Sequence, residues 1–133
     1  MKYLKLYESY PFEKLQEINK DIFYCFQDLT DANFEVRHLM GSNIIIEPIF
    51  RDRDYNEQGF YGKDVEETIL FAISYLTSEH NIHLKNICID YITFNNDVRE
   101  HRQRNFTNLE DMCDWFDVFV KKYLFKINIY YTI

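Results

Sequence analysis

The stretch from residue 64 to residue 94 constrains the fold most, because it reads as a capped helix that turns directly into a strand. Asp64 with Glu67 three residues on forms a capping box, in which the first side chain accepts backbone N–H groups and the second reaches back. Val65, Ile69, Ile73 and Leu76 then fall at four- and three-residue steps, an apolar helical stripe widened by Leu70 and Ala72. The helix is expected to fade at Ser78–Asn81. Ile87 to Phe94 follows as a strand that is apolar on both faces, with Ile87, Ile89 and Tyr91 on one and Cys88, Ile92 and Phe94 on the other. Such a strand belongs inside a sheet rather than at its edge.

The rest of the chain can be arranged around this pair. Lys2 to Tyr7 reads as a short strand or an opening helical turn, with strand favoured. Pro11 suits a helix start, and Leu15, Ile18, Ile22, Cys25 or Phe26, and Leu29 make an apolar stripe behind it. Thr30–Asn33 ends that helix. Phe34, Val36, His38 and Met40 alternate with Glu35 and Arg37, Gly41-Ser42-Asn43 supplies turn chemistry, and Ile44 to Phe50 completes a hairpin. Pro48 cannot donate to a ladder, so it marks an edge or a bulge. Residues 51–63 and 95–106 read as polar loops. Thr107 with Glu110 opens a helix through Leu109, Met112, Cys113, Phe116, Val120 and Tyr123, and Phe125, Ile127, Ile129 and Tyr131 form a last alternating strand.

These elements predict one domain over residues 1–133, an α+β two-layer sandwich with a mainly antiparallel sheet of four to five strands and three helices. With Lys2 to Tyr7 as a strand, residues 1–94 run β-α-β-β-α-β, the ferredoxin-like order, extended by the last helix and strand. Without it, the two-layer α+β sandwich remains. In either form an exposed sheet edge invites pairing with a second copy or with a partner strand.

Composition narrows the function classes. The 133 residues carry a net charge of −7, which disfavours general adhesion to nucleic acid or to anionic membrane. Only 3 Gly and 2 Pro argue against disorder. Cys25, Cys88 and Cys113 lie far apart within apolar patterns and read as buried free thiols in a reducing compartment. Met1 to Tyr10 is too charged for a signal peptide, and no run is long enough for a membrane span. A cytoplasmic, soluble protein is the expectation.

Candidate chemistry is sparse. Asp52-x-Asp54-x-Asn56 matches the first ligand positions of a calcium loop, but Glu57 replaces the turn glycine and Lys63 the bidentate glutamate, so a solvated loop is favoured. His80 and His83 have metal-ligand spacing without two further ligands nearby in sequence. Asp90 is a carboxylate in mid-strand that needs a partner, such as a Tyr hydroxyl, or partial exposure. Arg99, His101, Arg102 and Arg104 form the only basic cluster of the acidic chain and are the candidate binding residues together with Asp90. Tyr55, Tyr61, Tyr91, Tyr130 and Tyr131 are candidates for a contact surface. No nucleotide-binding glycine loop, nucleophile elbow or Cys-x-x-Cys pair is present, and neither a metal nor a cofactor is expected.

The opening Met1-Lys2-Tyr3-Leu4-Lys5-Leu6-Tyr7-Glu8-Ser9-Tyr10 resembles the start of many small uncharacterised proteins of AT-rich tailed phages, as does the abundance of Lys, Asn, Ile and Tyr. The resemblance implies a phage origin and transfers no functional residue. Taken together, these features lead to the expectation of a non-enzymatic intracellular protein that binds a host or virion protein, with a homo-oligomer as a further expectation. The acidic helix face at Glu110, Asp111, Asp114 and Asp117, or the segment 95–104, would carry the contact. Two other classes stand beside it: a small nucleic-acid or nucleotide-processing enzyme, with Asp90, His83 and the Arg99–Arg104 segment converging in one cleft, and a structural virion or assembly component.

Overall fold

The computed structural model describes residues 12–32, 34–39, 41–49, 62–96, 98–118 and 123–133. The strand expected at Lys2 to Tyr7 and the ion-ligand pattern at Asp52, Asp54 and Asn56 lie outside these residues. The elements in chain order are α1 (Phe12–Cys25), α2 (Gln27–Asp31), β1 (Phe34–Leu39), β2 (Asn43–Pro48), α3 (Gly62–His80), β3 (His83–Asn95), β4 (Val98–Phe106), α4 (Leu109–Val118) and β5 (Tyr123–Thr132). All strand pairs are antiparallel, in the order β1-β2-β5-β3-β4. The fold is α+β.

The centre of the sheet is built from isoleucine. Ile44 lies opposite Ile129, which lies opposite Ile87, and Ile46, Ile127 and Ile89 form the same kind of row one step along. All six are buried. Branched side chains pack well on a pleated surface, and each full burial contributes about 1.5–3 kcal/mol. Ile18 and Ile22 of α1, Val65, Ile69 and Leu76 of α3, and Met112 of α4 join these rows in a single core. The neighbouring positions on the opposite face are mainly polar, including Lys126, Asn128 and Tyr130 of β5. Among the described residues the helices therefore cover one face only, and the other is the open face.

Three local features follow directly from residue chemistry. Gly41 takes φ +80 at the β1–β2 turn, closed by the Ser42 N–H donating to the Leu39 carbonyl at 3.0 Å, a turn position that suits glycine. Asn81 takes φ 55 where α3 ends, and its N–H donates to the Thr77 carbonyl at 3.1 Å. Pro48 pairs only with Phe34 of β1, beyond the last β2–β5 pair at Ile46 and Ile127, so its missing N–H leaves no gap in that ladder.

The structure departs from the sequence expectation in several places. α3 begins at Gly62, so Asp64 lies inside the helix rather than at its cap, and Tyr123 opens β5 instead of closing the last helix. The first helix divides at Phe26 (φ −100, ψ 14), giving four helices among the described residues instead of three. The break lets Cys25 and Phe26, adjacent in sequence, both face the core. The cap of α4 is Asn108 rather than Thr107: Asn108 Oδ1 accepts the Asp111 N–H at 2.8 Å, and Asn108 Nδ2 donates to Asp111 Oδ2 at 3.1 Å. A ferredoxin-like order would place the N-terminal strand between the hairpin and the central strand, and β5 occupies that place. Finally, residues 98–106, expected as a loop, form the edge strand β4.

Candidate functional site

β4 follows β3 after a tight reversal in which Asn95 and Val98 pair directly. Asn96 adopts φ 51, the left-handed conformation that such turns require and that asparagine tolerates. At the other end Phe106 anchors the strand in the core opposite Ile87. Between these ends His101 to Asn105 are polar and exposed, as an edge strand permits.

Strand alternation divides the basic cluster. Asn105, Gln103 and His101 lie opposite Cys88, Asp90 and Ile92, on the open face of the sheet. Arg102 and Arg104 share the helix-bearing face with Phe106. Arg102 Nη2 donates to Glu100 Oε2 at 2.8 Å, and the Arg104 guanidinium sits 5.9 Å from the centroid of the Phe106 ring, a cation–π arrangement. Arg99 lies opposite Phe94 in the register. The four residues thus form a strand rather than a single pocket.

Asp90 is half-buried on the open face. Gln103 Nε2 donates to its Oδ1 at 2.9 Å, and Lys126 faces it from β5 in the register. Its partner is therefore an amide at the sheet surface, not the tyrosine hydroxyl named as a candidate. His83 lies opposite Thr132, seven positions along β3 from Asp90, a separation of roughly 23 Å along an extended strand. Asp90, His83 and the basic segment do not meet in one cleft.

The helix-bearing side of β4 does border a groove. Arg104 and Phe106 of β4 form one side, and Asp111, Asp114, Trp115 and Val118 of α4 the other, around about 440 Å³ of open space. Trp115 is fixed by neighbouring rings: Tyr91 and Phe116 approach edge-on with centroids at 5.0 Å and 5.1 Å, and Phe106 is tilted at 5.6 Å. The groove therefore has a firm aromatic wall, an exposed Val118 at its end and two carboxylates opposite a guanidinium.

The histidines of the His-x-x-His spacing have separate environments. His80 is buried, with Nε2 2.6 Å from Asp21 Oδ2, while His83 is exposed on β3. His80 Nδ1 has no hydrogen-bond partner among the described residues. No group of three His, Cys, Asp or Glu side chains among the described residues is arranged to hold a metal ion. The Asp21–His80 pair has the form of an oriented base, and Cys25 lies one turn beyond Asp21 on α1. Yet burial first, and the Asp21 charge second, push the Cys25 thiol up to about 11. It remains a thiol, and the pair ties α1 to α3.

The other cysteines are held protonated in similar ways. Burial and then the hydrogen bond to Glu66 push the Cys113 thiol up to about 11, and burial, followed by the Asp90 charge, raises Cys88. Cys113 is only half-buried, whereas all three thiols were expected to be buried, and Cys88 lies between Asn128 and Asn105 on the open face rather than among apolar neighbours. Each is a free thiol.

One polar network was not anticipated. His38 Nδ1 lies 2.7 Å from Asn19 Oδ1, His38 Nε2 lies 2.5 Å from the Tyr131 hydroxyl, and that hydroxyl accepts the Gly41 N–H at 3.1 Å. Tyr131 is a buried member of this chain, not a contact residue, while Tyr130 is exposed on the open face. Tyr55 and Tyr61 lie outside the described residues. The sequence signal for His38 was its place in the β1 alternation, which marks it as inward-facing without identifying its partners.

Among the described residues no helix is long and apolar enough to cross a membrane. Comparisons with protein-family models, with curated proteins and with solved structures found no match to the chain.

Proposed function

We propose that the protein is non-enzymatic and acts by binding another protein through β4 and the groove between β4 and α4. The observation that carries this reading is the position of the basic residues: in a chain of net charge −7, Arg102 and Arg104 stand exposed on the edge strand, beside a groove with an aromatic wall. Edge strands and grooves of this kind are recurrent protein-recognition surfaces. Aromatic and arginine side chains are those that interfaces favour. The enzymatic alternative has less support, because Asp90 and His83 are separated along β3 and Cys25 is held as a thiol. The resemblance of the first ten residues to small phage proteins favours an origin in a phage and a target among host or virion proteins.

Affinity capture from host lysate, with mass spectrometry and light scattering, tests the reading. The comparison is between the natural chain and R102E/R104E. A dominant protein captured by the first and lost by the second is the expected result. Equal capture by both moves the contact away from β4, and a defined oligomer that captures nothing turns the reading to assembly.

A further inference from the structure

β4 has one strand neighbour among the described residues: β3 pairs with it from Asn95 and Val98 to Ile87 and Phe106. Backbone N–H and C=O groups on the far side of such a strand point away from the sheet and can pair with one more strand. The other edge differs, since β1 has six residues and α2 packs against it, whereas β4 has nine.

Charge selects among the strands that could add there. β4 carries three arginines against one glutamate. A second copy adding across a two-fold axis would bring one basic strand against another, which like charges oppose. An acidic strand would instead bring carboxylates beside Arg102 and Arg104, whose side chains are exposed. The groove imposes a different requirement: Asp111 and Asp114 line its far side and repel a further carboxylate, while exposed Val118, beside the rim of the largely buried Trp115, offers apolar surface.

We infer that β4 receives an extended acidic segment of the partner protein as a sixth strand, with one apolar side chain of that segment seated against Trp115 and Val118. This rests on the protein-binding reading above and specifies the chemistry of the partner. Main-chain hydrogen bonds along β4 hold the segment. Opposite charge beside Arg102 and Arg104 sets its polarity, and the groove sets the position of the apolar residue. Alternate residues of an extended strand share a face, so the acidic and apolar residues recur at every second position.

The test uses the full chain and labelled synthetic peptides of about the length of β4. One peptide carries glutamates and a single leucine at alternate positions with threonines between. A second has lysines for the glutamates, and a third has a central proline. Trp115 is the sole tryptophan and lines the groove, so its emission reports occupancy independently of label anisotropy. The acidic peptide should bind and shift that emission, the proline peptide should not, and R102E/R104E should weaken the acidic peptide by about tenfold or more and favour the lysine one. R102Q/R104Q, with charge removed but not reversed, should fall between. Equal binding of acidic and lysine peptides, or unchanged binding to R102E/R104E, overturns the inference. A dimer in light scattering that R102E/R104E dissolves also overturns it, in favour of a second copy. If no peptide binds while lysate capture still depends on Arg102 and Arg104, the strand-addition inference falls and the protein-binding reading stands.

Discussion

His38 of β1 and Tyr131 of β5 share a 2.5 Å hydrogen bond although β2 lies between their strands. The contact ties the hairpin turn to the C-terminal strand, because the same hydroxyl accepts the Gly41 N–H. Tyr131→Phe keeps the ring and removes the hydroxyl, leaving the Gly41 N–H and His38 Nε2 without this partner. We expect a loss of about 1–3 kcal/mol in denaturant unfolding. A loss under 0.5 kcal/mol would indicate that water replaces the hydroxyl.

Burial lowers the His38 pKa from 6.5 to about 4. Between these values the folded protein binds fewer protons at His38 than the unfolded chain does, so low pH favours unfolding. The contribution of neutral His38 is present above pH 6.5 and lost progressively as pH falls toward 4. Stability measured against His38→Gln isolates it, because the carboxylates titrate alike in both proteins. The stability of the natural chain relative to the variant should fall across this window, and a constant difference would contradict the assignment.

Asp21 and His80 join α1 to α3 through a pair in which the histidine is buried and the carboxylate half-buried. Asp21→Ala removes the acceptor at Nε2 and leaves both ring nitrogens of His80 without a partner among the described residues, with an expected cost of about 1.5–3 kcal/mol. Asp21→Asn keeps an acceptor oxygen and should cost less. Thermal unfolding of the two variants checks the order, and equal losses would show that charge, not the hydrogen bond, sets the cost.

The cysteines should be slow to react. Cys25 and Cys113 have pKa values pushed up to about 11, and Cys88 is raised as well, so near neutral pH each is almost wholly a thiol. Titration with a disulfide reagent should label little in the native protein and all 3 cysteines after denaturation. Half-buried Cys113 should react first, and rapid native labelling of Cys25 would contradict its burial.

Asp90→Asn tests the surface assignment of this carboxylate. An asparagine oxygen can still accept from Gln103 Nε2, and the position is only half-buried. Stability should change by no more than about 0.5 kcal/mol. A loss several times larger would mean that the charge, facing Lys126 across the pair with β5, carries weight that the geometry does not suggest.

The legible parts of the chain were those where apolar residues repeat. The stripe of α3 and the alternations of β1, β2 and β5 gave the α+β class, because burial on one side leaves a period in the sequence. β4 left none. From His101 to Asn105 every side chain is polar and exposed, so no apolar alternation marks the strand. The same blindness applied to the binding candidates: Arg102 and Arg104 were legible as basic residues, but their separation from His101 follows from pleating, which a loop lacks. Trp115 entered the site for a different reason. Its neighbours Tyr91 and Phe106 come from β3 and β4, and only the fold brings them to α4.

In the function proposed above, β4 and the adjoining groove are the face that meets a protein partner. Hydrogen exchange on the natural chain, alone and with its captured partner, reads this most directly because it requires no assumption about partner chemistry. New protection is expected in Val98–Phe106 and in Leu109–Val118, with Phe34–Leu39 and Phe12–Cys25 unchanged. Protection confined to those last two segments, with β4 and α4 unaltered, would contradict it.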